Sequence, residues 1–140
     1  MLAGAVRSGG LRSRTRQGDD DEEGGRVEVS VSRKATDDVP VVAVSGEVDV
    51  YSAPELKESL TKLLESGAKS VVVDLSDVAF LDSTGLGALV EARAATSEAG
   101  GSLPIVCSHE RILKLFTITG LDGVFSIHGS VDEALASLSA

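Results

Sequence analysis

Reactive side chains stand closest together at Asp82-Ser83-Thr84-Gly85, inside "VVVDLSDVAFLDSTGLGALVEA". A carboxylate, two hydroxyls and a glycine suit three chemistries: acid-base work, cradling of a phosphate, or acceptance of one. Aspartic-protease chemistry needs two carboxylates sharing a proton, with the glycine directly after a single hydroxyl residue. Here Thr84 intervenes, and a second copy or a homodimer on an all-β scaffold would be required. Gly85-x-Gly87 at a helix start suits an anion. However, neither a G-x-x-x-x-G-K motif nor a full G-x-G-x-x-G is present. A receiver-like phosphoacceptor domain would use Asp74 and an acidic pair closing its first strand, whereas Asp37-Asp38 fall in a predicted hairpin turn. His109 and His128 stand alone, without ligand or triad spacing, and read as surface or strand-end residues. Cys107, in an apolar run, reads as a packed core thiol. Asp74 and Asp77 read as a strand end and its turn. No residues stand out as catalytic, metal-binding or cofactor-binding.

Two readings of Ser83 compete. Asp-Ser-Thr before an apolar helix is ordinary N-capping chemistry, in which a side-chain oxygen accepts an orphan N–H. As a lost cap, Ser83→Ala would cost about 0.5–2 kcal/mol. Yet this helix start lacks the glutamate of a capping box and carries Gly85 and Gly87, each costing roughly 1 kcal/mol against alanine within a helix. Glycines leave backbone bare for a partner's close approach. A phosphoryl group on Ser83 would meet the positive end of the helix dipole and add about −1.5 to −2 charges. That combination describes a switch.

The flanking sequence supplies the elements that would position this turn. "VEVSVSR" alternates strictly, with Val27, Val29 and Val31 on one face of an edge-type strand. "DDVP" is a turn, and "VVAVSGEVD" is a second strand paired with the first. Ser52-Ala-Pro-Glu55 spells a capping box, Leu56, Leu60, Leu63 and Leu64 follow at helical spacing, and Gly67 stops the helix. "SVVVDL" reads as a strand covered on both faces. A helix from about Ser83 to Ala99 closes at Gly100-Gly101. "LPIVCS" is a strand, "ERILKLFTIT" a helix ended by Gly120, and "VFSIH" a last strand. Ser130-Val-Asp-Glu133 is a second capping box, opening a helix to about Leu138. The order ββαβαβαβα predicts an α/β fold, a mostly parallel sheet with an N-terminal hairpin and about four helices.

Composition narrows the function classes. The 140 residues match a single domain, with 42% hydrophobic and 25% charged residues. A net charge of −9, 3% aromatics and no Trp argue against direct nucleic-acid binding. One cysteine precludes an intramolecular disulfide and suits a reducing compartment. No run approaches the roughly 18 apolar residues of a membrane span, so a cytoplasmic protein is the default. Residues 1–25 carry Arg7, Arg12, Arg14 and Arg16, then "DDDEE", and six of the fifteen glycines. They read as a disordered tail, self-neutralising or a start-site artefact rather than a binding arm. The domain, residues 26–140, keeps nine basic and seventeen acidic residues, a balance of −8.

Taken in order, "VSGEVDVYSAPELKESL", "VVVDLSDVAFLDSTGLGALV" and "ERILKLFTITGLDGVF" closely resemble the anti-sigma factor antagonists of the STAS domain family, above all those of actinobacterial type. The likeness spans Val27 to about Ala136 and leaves the tail outside. It implies a phosphoacceptor protein and not an enzyme. The unphosphorylated form would capture an anti-sigma factor with an ATPase-like serine kinase fold, freeing its sigma factor. That partner would phosphorylate Ser83, with Thr84 the lesser candidate, and a PP2C-type phosphatase would reverse the change. The resemblance also implies that Asp49 lies near the acceptor turn, and that Asp82, Ser83, Thr84, Gly85, Leu86 and Gly87 line the contact surface. A STAS-type regulatory module of a stress-sensing assembly is the related alternative.

Overall fold

A computed structural model describes residues 27–33 and 39–139. The expected tail, residues 1–25, and the expected turn residues Asp37 and Asp38 lie outside the described residues. The first two strands, β1 (Val27–Arg33) and β2 (Pro40–Val48), pair antiparallel from Val27↔Gly46 to Arg33↔Pro40. The remaining strands are β3 (Val72–Leu81), β4 (Ile105–Val106) and β5 (Ile127–His128). They add in chain order, giving a five-stranded sheet β1-β2-β3-β4-β5 that is parallel from β2 onward.

The helices are α1 (Ala53–Glu65), α2 (Ser83–Glu98), α3 (Glu110–Ile118) and α4 (Val131–Ser139). The first three cover one face of the sheet. There Leu56 and Leu60 of α1, Leu89 of α2, and Ile112 and Phe116 of α3 close over Val42, Val44, Val73 and Leu75. The fourth places Ala134 and Leu135 over Val41, Val72 and Val106 on the opposite face. This two-sided cover accounts for the continuous apolar run at the start of β3. Because β2 to β5 are parallel, their carboxyl ends and the starts of all four helices gather at one end of the sheet. Val27, opposite Gly46, begins β1 at that same end.

Several expectations are revised. The third strand continues past Leu75 to Leu81, so Asp74 and Asp77 lie within it and not in a turn. Its buried residues Leu75, Val78 and Leu81 recur every third position. Shifts in register against β2, between Ala43 and Ser45 and between Gly46 and Glu47, account for the lost alternation. Gly46 supplies the positive φ (95°) at the second shift, which a side chain would resist. The last two strands shrink to two residues each. In the expected strand "VFSIH", Phe125 instead follows a 3-10 turn (Leu121–Gly123) and drops edge-on against Phe116, centroids 5.7 Å apart. The second capping box forms in part: Glu133 N–H donates to Ser130 Oγ (3.1 Å), while Glu133 Oε1 accepts the N–H of Gly129 (3.2 Å), one residue ahead of the N-cap. The first does not form, because Ser52 makes no side-chain cap to α1.

Candidate functional site

The fold brings the DSTG turn and the Gly-Glu-Val-Asp strand end together. The backbone N–H of Asp82 donates to the carbonyl of Val48 at 3.1 Å, so Asp49 follows directly on the residue that anchors the turn. Asp82 is the N-cap of α2. Its Oδ1 accepts the N–H groups of Thr84 (2.9 Å) and Gly85 (3.1 Å), and its carbonyl accepts the N–H of Leu86 (3.0 Å). The cap is thus the aspartate and not Ser83. Ser83 occupies the first helical position, exposed, and among the described residues its hydroxyl has no hydrogen-bond partner.

The two glycines have different reasons. A Cβ on Gly85 would stand 2.5 Å from Leu81 Cδ1 and 2.8 Å from Val48 Cγ1, so the first turn of α2 packs directly on the strand ends. Gly85 and Leu86 are buried, and they support the surface from beneath instead of lining it. A Cβ on Gly87 would meet nothing within 4 Å. Thr84 and Gly87 are exposed beside Ser83. Of the expected contact residues, therefore, Ser83, Thr84 and Gly87 face solvent and Asp49 and Asp82 are half-buried.

Ser52, expected to cap α1, is 1% exposed and ties the neighbouring loop together instead. Its Oγ donates to the Glu47 carbonyl (2.8 Å) and accepts the Asp49 N–H (2.9 Å). Asp49 Oδ1 in turn accepts the N–H groups of Tyr51 (3.0 Å) and Ser52 (3.1 Å), and the Asp49 carbonyl accepts Ala53 N–H (2.7 Å). This bonded loop presents Val50 and Tyr51 outward, 56% and 74% exposed. Phe80, paired with Glu47 across β2 and β3, is 47% exposed. The sequence analysis did not single out these three, although "VY" between a predicted strand end and a predicted helix start was a visible signal, since such connections favour Gly, Asn, Asp, Ser and Pro.

The other reactive groups have structural roles. Asp74 is the third of the ten residues of β3, far from its carboxyl end, and its Oδ1 accepts from the Ser76 N–H (3.0 Å) and hydroxyl (2.6 Å), which removes the geometric basis for a receiver-like acceptor at that strand end. His109 caps α3, with Nδ1 accepting the Arg111 N–H at 3.3 Å. His128 Nε2 and Ser126 Oγ are 2.6 Å apart. Cys107 is buried, as expected for a core thiol, and burial raises its pKa. Among the described residues no cluster of His, Cys, Asp and Glu could hold a metal ion. No helix among them is long and apolar enough to cross a membrane.

The five-stranded mixed sheet with its N-terminal hairpin and four helices coincides with a known domain fold. The STAS domain model matches residues 30–134. The chain belongs to the STAS domain family. It is 41% identical over 99 residues to the anti-sigma-B factor antagonist of Bacillus subtilis (strain 168), an alignment covering 71% of this chain and 90% of that protein. The crystal structure of an anti-sigma factor antagonist from Mycobacterium paratuberculosis matches with a TM-score of 0.74 at 29% identity, over 81% of this chain and 95% of that one. The anti-sigma factor antagonist SpoIIAA in its unphosphorylated form shares the fold, with a TM-score of 0.69 at 16% identity over 80% of this chain and 96% of that one. This STAS chain therefore resembles antagonists of anti-sigma factors in sequence as well as in fold, including one from the actinobacteria.

Proposed function

We propose that this STAS protein is an anti-sigma factor antagonist switched by phosphorylation of Ser83. In its unphosphorylated form it binds an anti-sigma factor that carries an ATPase-like serine kinase fold, and the sigma factor is released. Phosphorylation by that partner weakens the complex, and a PP2C-type phosphatase resets it. The observation that carries this reading is the exposed, uncommitted Ser83 hydroxyl beside a cap made entirely by Asp82. Modification of Ser83 leaves the cap in place, and a phosphate there meets the positive end of a 16-residue helix. Thr84, exposed in the same turn, is the lesser acceptor. The role is one of binding, not of catalysis.

Charge explains the direction of the switch. The phosphate adds about −1.5 to −2 charges next to Asp82, with Asp49 one residue beyond the Val48 anchor. At a tight interface this dianion must be desolvated among carboxylates. Leaving a buried charge unpaired costs about 2–5 kcal/mol or more, on the order of 30- to several-thousand-fold in Kd. The test is a titration of the purified anti-sigma factor with wild type, Ser83→Ala and Ser83→Asp, each checked for folding. Wild type and Ser83→Ala should bind, only wild type should be phosphorylated, and Ser83→Asp should bind at least tenfold more weakly. A folded Ser83→Asp protein that binds like wild type would sink the charge argument.

A further inference from the structure

The loop between β2 and α1 is held more firmly than its exposure warrants. Ser52, buried, closes it against the Glu47 carbonyl and the Asp49 N–H, and the Asp49 carboxylate fastens the N–H groups of Tyr51 and Ser52. A loop so bonded has little freedom left to lose when a partner binds it. What it displays is apolar: Val50 and Tyr51, with Phe80 nearby opposite Glu47. Tyrosine is among the residues enriched where a few side chains carry most of an interface's energy. Glu47, Asp49 and Asp82, all half-buried, belong to the same strand ends: Glu47 pairs with Phe80, Asp49 precedes Val50, and the Asp82 N–H bonds the Val48 carbonyl.

We propose that Val50, Tyr51 and Phe80 form an apolar docking element beside Ser83, with Tyr51 its main anchor and Ser52 the positioning residue that holds the loop in its docking shape. The occupant is the anti-sigma factor of the preceding section, so the inference rests on that reading. Charge complementarity specifies its surface: an apolar pocket bordered by arginine or lysine, facing the carboxylates of Glu47, Asp49 and Asp82. The element gives the switch a constant part and a variable part. Tyr51 supplies affinity in either state, and the charge on Ser83 decides whether that affinity suffices.

The chain has one tyrosine and no tryptophan, so nitration read on this chain's peptides reports on Tyr51 alone. The probe is the purified anti-sigma factor from the same cells that binds the wild-type chain in a two-component titration. If no such factor binds wild type, the functional reading itself fails. Given binding, Tyr51→Ala is expected to raise Kd at least tenfold without moving the thermal midpoint, and the complex should protect Tyr51 from nitration. Association should slow as salt rises, because complementary charges steer it. Ser52→Ala should weaken binding several-fold, and the Ser52→Ala/Tyr51→Ala double variant should bind no more weakly than Tyr51→Ala alone. Wild-type affinity in Tyr51→Ala, or unprotected Tyr51 in the complex, overturns the docking element. Fully additive losses in the double variant overturn the positioning role of Ser52.

Discussion

Replacing each of the two glycines of α2 by alanine should move stability in opposite directions, although the residues are two positions apart. Both substitutions remove the helix penalty of glycine, about 1 kcal/mol each within a helix interior. At Gly87 nothing lies within 4 Å of the new methyl group, so the gain is kept and Gly87→Ala stabilises by about 0.5–1 kcal/mol. At Gly85 the methyl would press on Leu81 Cδ1 and Val48 Cγ1, at 2.5 and 2.8 Å. Both neighbours are buried, and Val48 is β-branched and stiff at χ1. Overpacking costs about 1–3 kcal/mol, and two contacts this short put Gly85→Ala in the upper part of that range, about 2–3 kcal/mol, which outweighs the propensity gain of about 1 kcal/mol. The net result for Gly85→Ala is a loss of about 1–2 kcal/mol, or a thermal midpoint lower by roughly 4–16 °C. Thermal and urea unfolding followed by circular dichroism measure both variants against wild type. A Gly85→Ala protein as stable as wild type would refute the claim that this glycine exists to seat α2 on the strand ends. A lowered midpoint for Gly87→Ala would refute the open-space reading.

Further outcomes follow from the cap and from the buried thiol. Asp82→Ala removes the acceptor of two helix N–H groups and should cost about 0.5–2 kcal/mol in urea unfolding. Ser83→Ala, at an exposed position with no cap to lose, should stay within about 0.5 kcal/mol of wild type. Equal losses in the two variants would reassign the cap. Burial raises the pKa of Cys107, so the folded state favours the neutral thiol. Its contribution is complete below the ordinary thiol pKa of about 8.5 and declines as pH climbs past that value. A disulfide reagent at pH 8 should therefore label the urea-unfolded chain quickly and the native protein slowly; comparable rates would contradict the burial.

How far the sequence could be read depended on whether local chemistry and tertiary contact agreed. The strand pattern of β1, the leucine spacing of α1 and the Ser130 cap of α4 are local signals, and packing left them in place, although Val31 at the far end of β1 stays 47% exposed. Ser52-Ala-Pro-Glu55 carried an equally clear capping signal, yet the hydroxyl found the strand-end carbonyl of Glu47 and the N–H of Asp49 instead. The extension of β3 was hidden because its two register shifts turned a two-residue repeat into a three-residue one. The DSTG turn was legible as a place where helix rules are broken. The division of labour within it, with Asp82 capping, Gly85 packing and Ser83 left over, required the neighbours contributed by β2. The pairing of Asp49 with that turn came from family likeness, and the Asp82–Val48 hydrogen bond is its physical basis.

The direction of the edge strand has a practical bearing on how this molecule can be attached to anything else. Since β1 starts opposite Gly46, a surface linker, label or fusion partner joined directly at Val27, in place of residues 1–26, is delivered to the end of the sheet that carries Ser83 and Tyr51. The last helix leads the other way: Ala134 and Leu135 lie over Val41 and Val72, where β2 and β3 begin. Immobilisation directly after α4 therefore leaves the end that carries Ser83 and Tyr51 open to solution, whereas bulk joined directly at Val27 enters beside it.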